Sequence, residues 1–512
     1  MAKKGFRMRI EGRRYRDEWL PNYYPARQIG DTFVRISRTG KTQMLTAEED
    51  TQLNEFFMDP ILFERLERTG HIITSRNSNL ALDGLRTWLN GTYDGPQLHI
   101  VVATKRCNLN CTYCHMNPEP VGSDQSMYDL RPEVATRVAK FILESPNPTL
   151  VLEIQGGEPF LNFTGMVTFI EEITRQNHSV GKKLSFNVVS NLMVATDKQL
   201  AYCEENSIGV SYTINGPREI HDHFRITRNG CGSFDAVMRR FEHIRSKFPG
   251  VLSPSPLCVI TADNAKDIRR MLDFYHGLGF NEVALINLKN LGNAARGGLR
   301  FDVREFTAHY VEALDYLYQK NKNLSGRAYG ERLVKVALMK ILGPSNVKYI
   351  DWRNPIGYVN GALVYDYDGE ILPADEARSM RDVFTLGNVM NLSYDELIRR
   401  KETFKVVNLS IRDRDPECRE CAYNPYCGVS PVLHYAKTGN MSPRAYESDD
   451  CLMVLAILDW VFKKLIEDPL PLIRMIPALS EHFESLVDGG SHAPREGGRD
   501  GISEDTVAGI VA

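Results

Sequence analysis

The chain has 512 residues, 43% of them hydrophobic and 25% charged, with a formal net charge of −3. That length carries roughly two to four domains, each able to bury a core of its own. Near-neutral charge excludes a broadly basic nucleic-acid binder. No apolar run reaches the ~18 residues of a membrane span, the nearest, Cys451 to Phe462, being short and broken by Asp459.

The N-terminus is locally basic, with Lys3, Lys4, Arg7, Arg9, Arg13, Arg14 and Arg16. A solvated tail is expected there, a weak electrostatic contact to a partner being the alternative. No apolar stretch follows those charges, so they do not read as a secretory signal. The ten cysteines fall in clusters instead of being spread as a disulfide framework. Clustered cysteines without an export signal predict metal ligands and a cytoplasmic location.

Residues 1–95 predict a small α+β module. Thr32–Ser37 alternates like a strand, Arg38-Thr-Gly-Lys41 reads as a turn, and Thr42–Leu45 completes a hairpin. Thr46 with Glu49 forms a capping-box pattern ahead of a helix through Phe57. A second helix is expected around Ile61–Arg68, with Gly70–Ile73 closing the unit. Such a module suits either peptide recognition, in the manner of a degenerate winged helix, or a plain packing cap.

Residues 96–325 alternate strand and helix. Gln97–Thr104, Thr149–Ile154, Leu184–Val189, Gly209–Ile214, Pro256–Thr261 and Glu282–Ile286 read as strands. Helices are expected over Glu133–Glu144, Gly165–Gln176, Asp235–Lys247 and Lys266–Gly277. Repeated βα units predict a parallel sheet covered by helices, and the count suits a partial barrel of about six units.

Chemistry concentrates at the ends of those strands. After the first lies Cys107-x3-Cys111-x2-Cys114. Three closely spaced thiolates suit a [4Fe–4S] cubane and leave one iron free. Zinc is the competing reading, because His115 completes a Cys3His set. After the second strand comes Gln155-Gly156-Gly157-Glu158-Pro159, where two glycines allow close backbone approach and Glu158 offers an acceptor to an ammonium group. Ser190-Asn191 ends the third strand, and Thr213-Ile-Asn215-Gly-Pro leads from the fourth to Arg225. His221-Asp222-His223 reads as a loop anchor before a metal pair, and Cys203, Cys231 and Cys258 as small hydrophobes. The P-loop pattern at Gly40-Lys41-Thr42 fails because Arg35 stands at its first glycine.

Residues 326–452 break the βα rhythm. Gly361–Leu372 reads as a hairpin closed by Asp368-Gly369. Asp375 and Glu376 follow it, beside Arg378. Then come Cys418-x2-Cys421-x5-Cys427 and, further on, Cys451, the ligand set of one complete cluster, with zinc again the alternative. Residues 453–512 are expected to form a closing amphipathic helix and, from Asp488, a flexible tail.

Together Cys107, Cys111, Tyr113 and Cys114, the Gly156-Gly157-Glu158 turn and the Thr213…Arg225 stretch resemble the radical SAM enzymes. The resemblance implies a cluster that binds S-adenosylmethionine through its free iron. Glu158 and the glycines would hold the amino group, Thr213 the hydroxyl position, Arg225 the methionyl carboxylate, and Ser190 and Asn191 the remaining cofactor contacts. Asn215 stands where such enzymes usually carry Asp.

Cys418, Cys421, Cys427 and Cys451 resemble the SPASM or twitch domain that holds auxiliary clusters. Pro431 replaces a further cysteine, and Pro373-Ala374-Asp375 replaces Tyr-Pro-Cys, which implies one auxiliary [4Fe–4S] cluster in place of two. Gln155–Phe163, Ala374–Arg378 and Asn424–Pro431 resemble the B-type maturase of the His-Xaa-Ser peptide system. That implies a precursor peptide substrate, an electron donor such as flavodoxin or ferredoxin, and a paired second radical SAM protein. Asp375 and Glu376, where relatives place a cluster cysteine, become candidate catalytic acids. The alternatives are a sulfatase-type protein maturase and a zinc-stapled peptide-binding protein without redox chemistry.

Overall fold

The computed structural model describes residues 19–299, 301–324, 328–342, 351–442 and 444–476. The basic run up to Arg16 and the tail from Asp488 lie outside these.

Six strands, Leu98–Thr104, Thr149–Gly156, Lys183–Ser190, Gly209–Tyr212, Leu257–Ile260 and Glu282–Asn287, stand side by side in chain order. Neighbours pair in parallel, with Val151 opposite Leu98, Lys183 opposite Thr149, and Gly209 opposite Asn187. A single parallel bridge, Thr213 to Leu257, joins the fourth strand to the fifth, and Leu257 then pairs with Ala284. The helices Pro132–Leu143, Phe163–Asn177, Asp197–Glu205, Phe234–Lys247 and Ile268–Gly277 make the crossovers. The expected (β/α)6 partial barrel is present. Its third crossover helix, Asp197–Glu205, goes beyond the expected set, although Thr196 and Gln199 form a complete capping box ahead of it.

Side-chain alternation decides what the barrel presents inward. In Thr149–Gly156, Leu150, Leu152 and Ile154 are buried, while Val151, Glu153 and Gln155 are half-buried on the other face. A strand of period 2 thus feeds its core with one set and lines a cavity with the other.

The N-terminal module is a three-stranded antiparallel sheet, Arg27–Ile29, Thr32–Ile36 and Thr42–Leu45, followed by helices Ala47–Asn54 and Pro60–Arg68. Thr46 accepts from the Glu49 backbone at 3.2 Å and donates its own N–H to the Glu49 carboxylate at 2.9 Å. The helix stops short of Phe57 because Phe56 takes a φ of 55°. Trp19, Leu53, Met58, Leu62, Phe63 and Leu66 belong to a core separate from that of the barrel.

The expected hairpin forms from Ala362–Tyr365 and Glu370–Leu372, with Gly369 at φ 87° in its turn. Its placement is a finding of the structure. Ala362–Tyr365 lies parallel to the first barrel strand, Ala362 opposite Leu98, so the barrel sheet continues into the C-terminal segment. The helix Asp449–Glu467 packs on Val303–Lys322 and runs across the expected boundary at residue 452. No helix among the described residues is long and apolar enough to cross a membrane.

Candidate active site and cluster centres

The cysteine loop leaves the first barrel strand and is held from several sides. Arg106, 2% exposed, donates to both oxygens of Asp129 at 2.8 and 2.6 Å. The Asn110 and Thr112 N–H groups donate to the carbonyls of Ile226 and Phe224 at 2.8 and 2.9 Å. Cys107 and Cys111 are buried and Cys114 half-buried, all as free thiols. Burial pushes all three thiols up, Cys114 to about 12. Buried thiols ionise when a bound metal compensates the charge, so the donor set fits an iron–sulfur cluster. Leu109 N–H lies 3.4 Å and Asn191 Nδ2 3.9 Å from Cys107 Sγ, a setting that suits a thiolate. His115 does not complete the set through Nε2, which is engaged by Asp375 Oδ2 at 2.8 Å. Among the described residues no three His, Cys, Asp or Glu side chains converge as a single-ion site.

A cavity of about 530 Å³ opens on this loop. Gly156, Gly157, Ser190, Asn191, Thr213 and Arg225 all reach its wall, so the strand ends do bring the expected cofactor contacts together. Arg225 is 6% exposed; one guanidinium nitrogen donates to the Tyr113 hydroxyl at 2.7 Å, and its Nε is buried without a partner. A buried guanidinium with a free donor suits a carboxylate.

Two of these positions also do structural work. The sequence pattern has the glycines making room for a ligand. A Cβ on Gly156 would lie 2.5 Å from the Thr104 carbonyl oxygen, and one on Gly157 2.4 Å from that of Arg106. The space is taken by the backbone that carries the cysteine loop, so the glycines let the two strand ends close on each other. The pattern also makes Glu158 an ammonium acceptor. Glu158 is fully buried and absent from the cavity wall. Ser190 Oγ and the Asn191 N–H each donate to it at 2.8 Å. Burial raises its pKa to about 7 despite those donors. In this arrangement it ties the Gly156–Gly157 turn to the end of the third strand.

Asp375 and Glu376 line the same cavity from the C-terminal segment. Burial pushes Asp375 up, but the His115 hydrogen bond and the Arg378 guanidinium, 3.1 Å away, outweigh it and hold the carboxyl well below its usual range. Its ion pair with Arg378 lies within the C-terminal segment, and its hydrogen bond with His115 joins that segment to the cysteine loop. Glu376 lines the wall near Lys289, a residue that no sequence motif singles out. Burial lowers the Lys289 pKa, while Asp450, Glu376 and Asp351 raise it further, so its ammonium is retained. Lys289 sits two residues past the sixth strand, the kind of position where α/β barrels place chemistry.

His221 and Asp222 anchor a loop, as expected. The Asn215 N–H donates to His221 Nδ1 at 3.2 Å, His221 Nε2 lies 3.1 Å from Ser233 Oγ, and the Phe234 N–H donates to Asp222 at 2.8 Å. The Asn215 side chain accepts from the Val259 N–H at 2.7 Å. Cys203 and Cys258 are buried, whereas Cys231 is exposed.

The second cysteine group also shares a cavity. Cys418, Cys421, Cys427 and Cys451 line one cavity of about 230 Å³. Asn424 donates to the Cys418 carbonyl at 2.8 Å and fixes the loop. Burial raises Cys418 to about 12 and Cys451 to about 11, so these thiols fit a bound metal centre as the first three do. Pro431 opens the helix Pro431–Thr438, where a missing N–H costs nothing.

Residues 101–275 match the model of the radical SAM superfamily. The cysteine-type anaerobic sulfatase-maturating enzyme of Clostridium perfringens is 23% identical over 342 residues, 65% of this chain and 88% of that protein. The radical SAM cyclopropyl synthase TigE of Paramaledivibacter caminithermalis is 21% identical over 211 residues, 39% of this chain and 43% of that protein. The solved structure of native anSMEcpe with bound AdoMet aligns at a TM-score of 0.57 and 20% identity, over 72% of this chain and 97% of that one, a likeness of fold. The matched segment holds both the cysteine loop and the Gly156–Gly157 turn, and residues 101–275 of this chain are a radical SAM domain.

Proposed function

We propose that this protein is a radical SAM maturase that modifies a ribosomally made peptide. One observation carries the reading: a single cavity of about 530 Å³ is lined both by Cys107, Cys111 and Cys114 and by the C-terminal segment. That volume suits a small cofactor with one substrate side chain. When bound, the cluster and S-adenosylmethionine supply a 5′-deoxyadenosyl radical by reductive cleavage. Arg225 binds the methionyl carboxylate, and the Gly156–Gly157 backbone with Ser190, Asn191 and Thr213 orients the rest of the cofactor. Asp375 holds His115, and through it the cysteine loop, against the C-terminal wall. Glu376 and Lys289 face the substrate end, where they orient a polar side chain or move a proton.

The same reading gives residues 1–95 a recognition role, 326–452 the auxiliary [4Fe–4S] cluster, and the remainder from 453 a closing role. An electron donor such as flavodoxin or ferredoxin, a cytoplasmic setting and a paired radical SAM protein belong to this proposal. The similarity to sulfatase-maturating enzymes favours a second reading, formylglycine formation in a sulfatase.

The test is co-expression with a short precursor encoded beside the gene, read by mass spectrometry, against a sulfatase peptide probed with an aldehyde-specific label. Modification of the precursor supports the first reading, and labelling of the sulfatase peptide the second. Glu376→Gln is expected to lower product by roughly a hundredfold, the lower range of acid–base contributions, while 5′-deoxyadenosine still forms.

A further inference from the structure

Arg412 is 3% exposed and lines the cavity that Cys418, Cys421, Cys427 and Cys451 share. One terminal nitrogen, Nη2, donates to the Leu409 carbonyl. The other two, Nε and Nη1, are buried with no hydrogen-bond partner. The carboxylates nearest in sequence are committed elsewhere. Asp413 accepts from Tyr24 and Asn354 at 3.2 and 2.8 Å, and Asp415 from the Glu417 and Ala445 N–H groups at 2.9 and 3.3 Å. Glu417 also lines the cavity but is exposed.

A guanidinium stays charged, and a buried charge without a counterion is strongly destabilising. Two idle donors on such a group call for an anion in the cavity. A cubane ligated by four thiolates is a net anion and becomes more so on reduction, and hydrogen bonds to its sulfurs tune its potential.

We propose that Arg412 is a positioning residue for the auxiliary cluster: its Nε–H and Nη1–H donate to cluster or cysteine sulfur and raise the cluster's reduction potential. The proposal rests on the auxiliary-cluster reading above. The charge favours the reduced, more anionic state, so its removal lowers the potential.

The test uses the full chain with Cys107, Cys111 and Cys114 changed to Ala, so that the auxiliary centre is observed alone. Iron content and a redox titration followed by electron paramagnetic resonance are compared among this parent, Arg412→Gln and Arg412→Lys. Arg412→Gln is expected to shift the reduction equilibrium at least tenfold, about 59 mV lower for one electron. Arg412→Lys should lie nearer the parent. The iron-free Arg412→Met chain should melt above the iron-free parent, because an unpaired buried charge has been removed.

Full iron with an unchanged potential in Arg412→Gln overturns the proposal. So does an iron-free Arg412→Met chain that melts below its parent, the behaviour of a lost packing residue. If Arg412→Gln holds no iron, Arg412→Lys decides: iron at the parent potential supports the charge role, and loss in both overturns it. A parent with zinc or no metal at this centre overturns the cluster reading itself, and the proposal with it.

Discussion

Arg225 and Glu158 are both buried beside the cysteine loop, and their surroundings give them different work. Arg225 keeps an unpaired Nε next to the cavity, whereas both Glu158 oxygens accept from the end of the third strand. Losing one partner of a charge-assisted pair in a closed site costs about 2–5 kcal/mol. Arg225→Ala is therefore expected to weaken S-adenosylmethionine binding at least tenfold, measured by equilibrium dialysis, with iron content unchanged. Unchanged affinity would remove Arg225 from the cofactor site. Glu158 reports differently. Its folded pKa of about 7 lies above the ordinary 4.5, so the folded state holds the proton more tightly than the unfolded one. Its contribution to stability is full below about pH 4.5 and is lost as pH rises towards 7, about 3 kcal/mol in all. Glu158→Gln should flatten that slope in denaturant titrations of the iron-free protein at pH 5 and pH 7.5. An equal slope in both proteins would assign the pH dependence to other groups.

Between elements, the contact that matters most is the closure of the Gly156–Gly157 turn on the strand end that carries Cys107. A methyl group on Gly157 would press to 2.4 Å from the Arg106 carbonyl, backbone that cannot swing aside. Gly157→Ala is expected to reduce iron at the three-cysteine site while leaving iron at the four-cysteine site, as read by metal analysis and visible absorbance. Equal loss from both sites would indicate general unfolding. This contact also shows what a sequence conveys. The glycine pair is visible in it, but a one-dimensional pattern does not tell whether backbone or ligand fills the space above the pair. Local devices are legible because they close within a few residues: the Thr46–Glu49 box and the Asp368-Gly369 hairpin both form as expected. The pairing of Ala362–Tyr365 with Leu98–Thr104 is not, since it joins residues more than 250 positions apart. Lys289 escapes notice because its partners Asp351, Glu376 and Asp450 come from distant segments.

Across the whole molecule, the two cavities share a wall. Cys427 lines the four-cysteine cavity, and the next residue, Gly428, lines the larger one. Cys451 and Asp450 divide in the same way at the start of the long helix. A Cβ on Gly428 would sit 2.3 Å from the Asp351 carbonyl oxygen, so this wall is also packed tightly against the segment that supplies Asp351. The N-terminal module is fastened to the same region, since Tyr426, beside Cys427, donates to the Gly40 carbonyl at 2.7 Å and lies 2.9 Å from Thr42 Oγ1. Loss of the auxiliary cluster should therefore be felt at the substrate wall and at the module together. Wild-type protein reconstituted without oxygen is expected to carry about eight irons, two cubanes of four. Cys107→Ala with Cys111→Ala and Cys114→Ala should retain about half and lose all cleavage of S-adenosylmethionine. Cys427→Ala should likewise retain about half, yet still form 5′-deoxyadenosine while peptide product falls. Proteolysis near residues 38–45 should quicken in Cys427→Ala alone, because Tyr426 is no longer held by the cluster loop. If that variant keeps full product yield and the protease pattern of the parent, the four-cysteine centre is independent of both the cavity and the module.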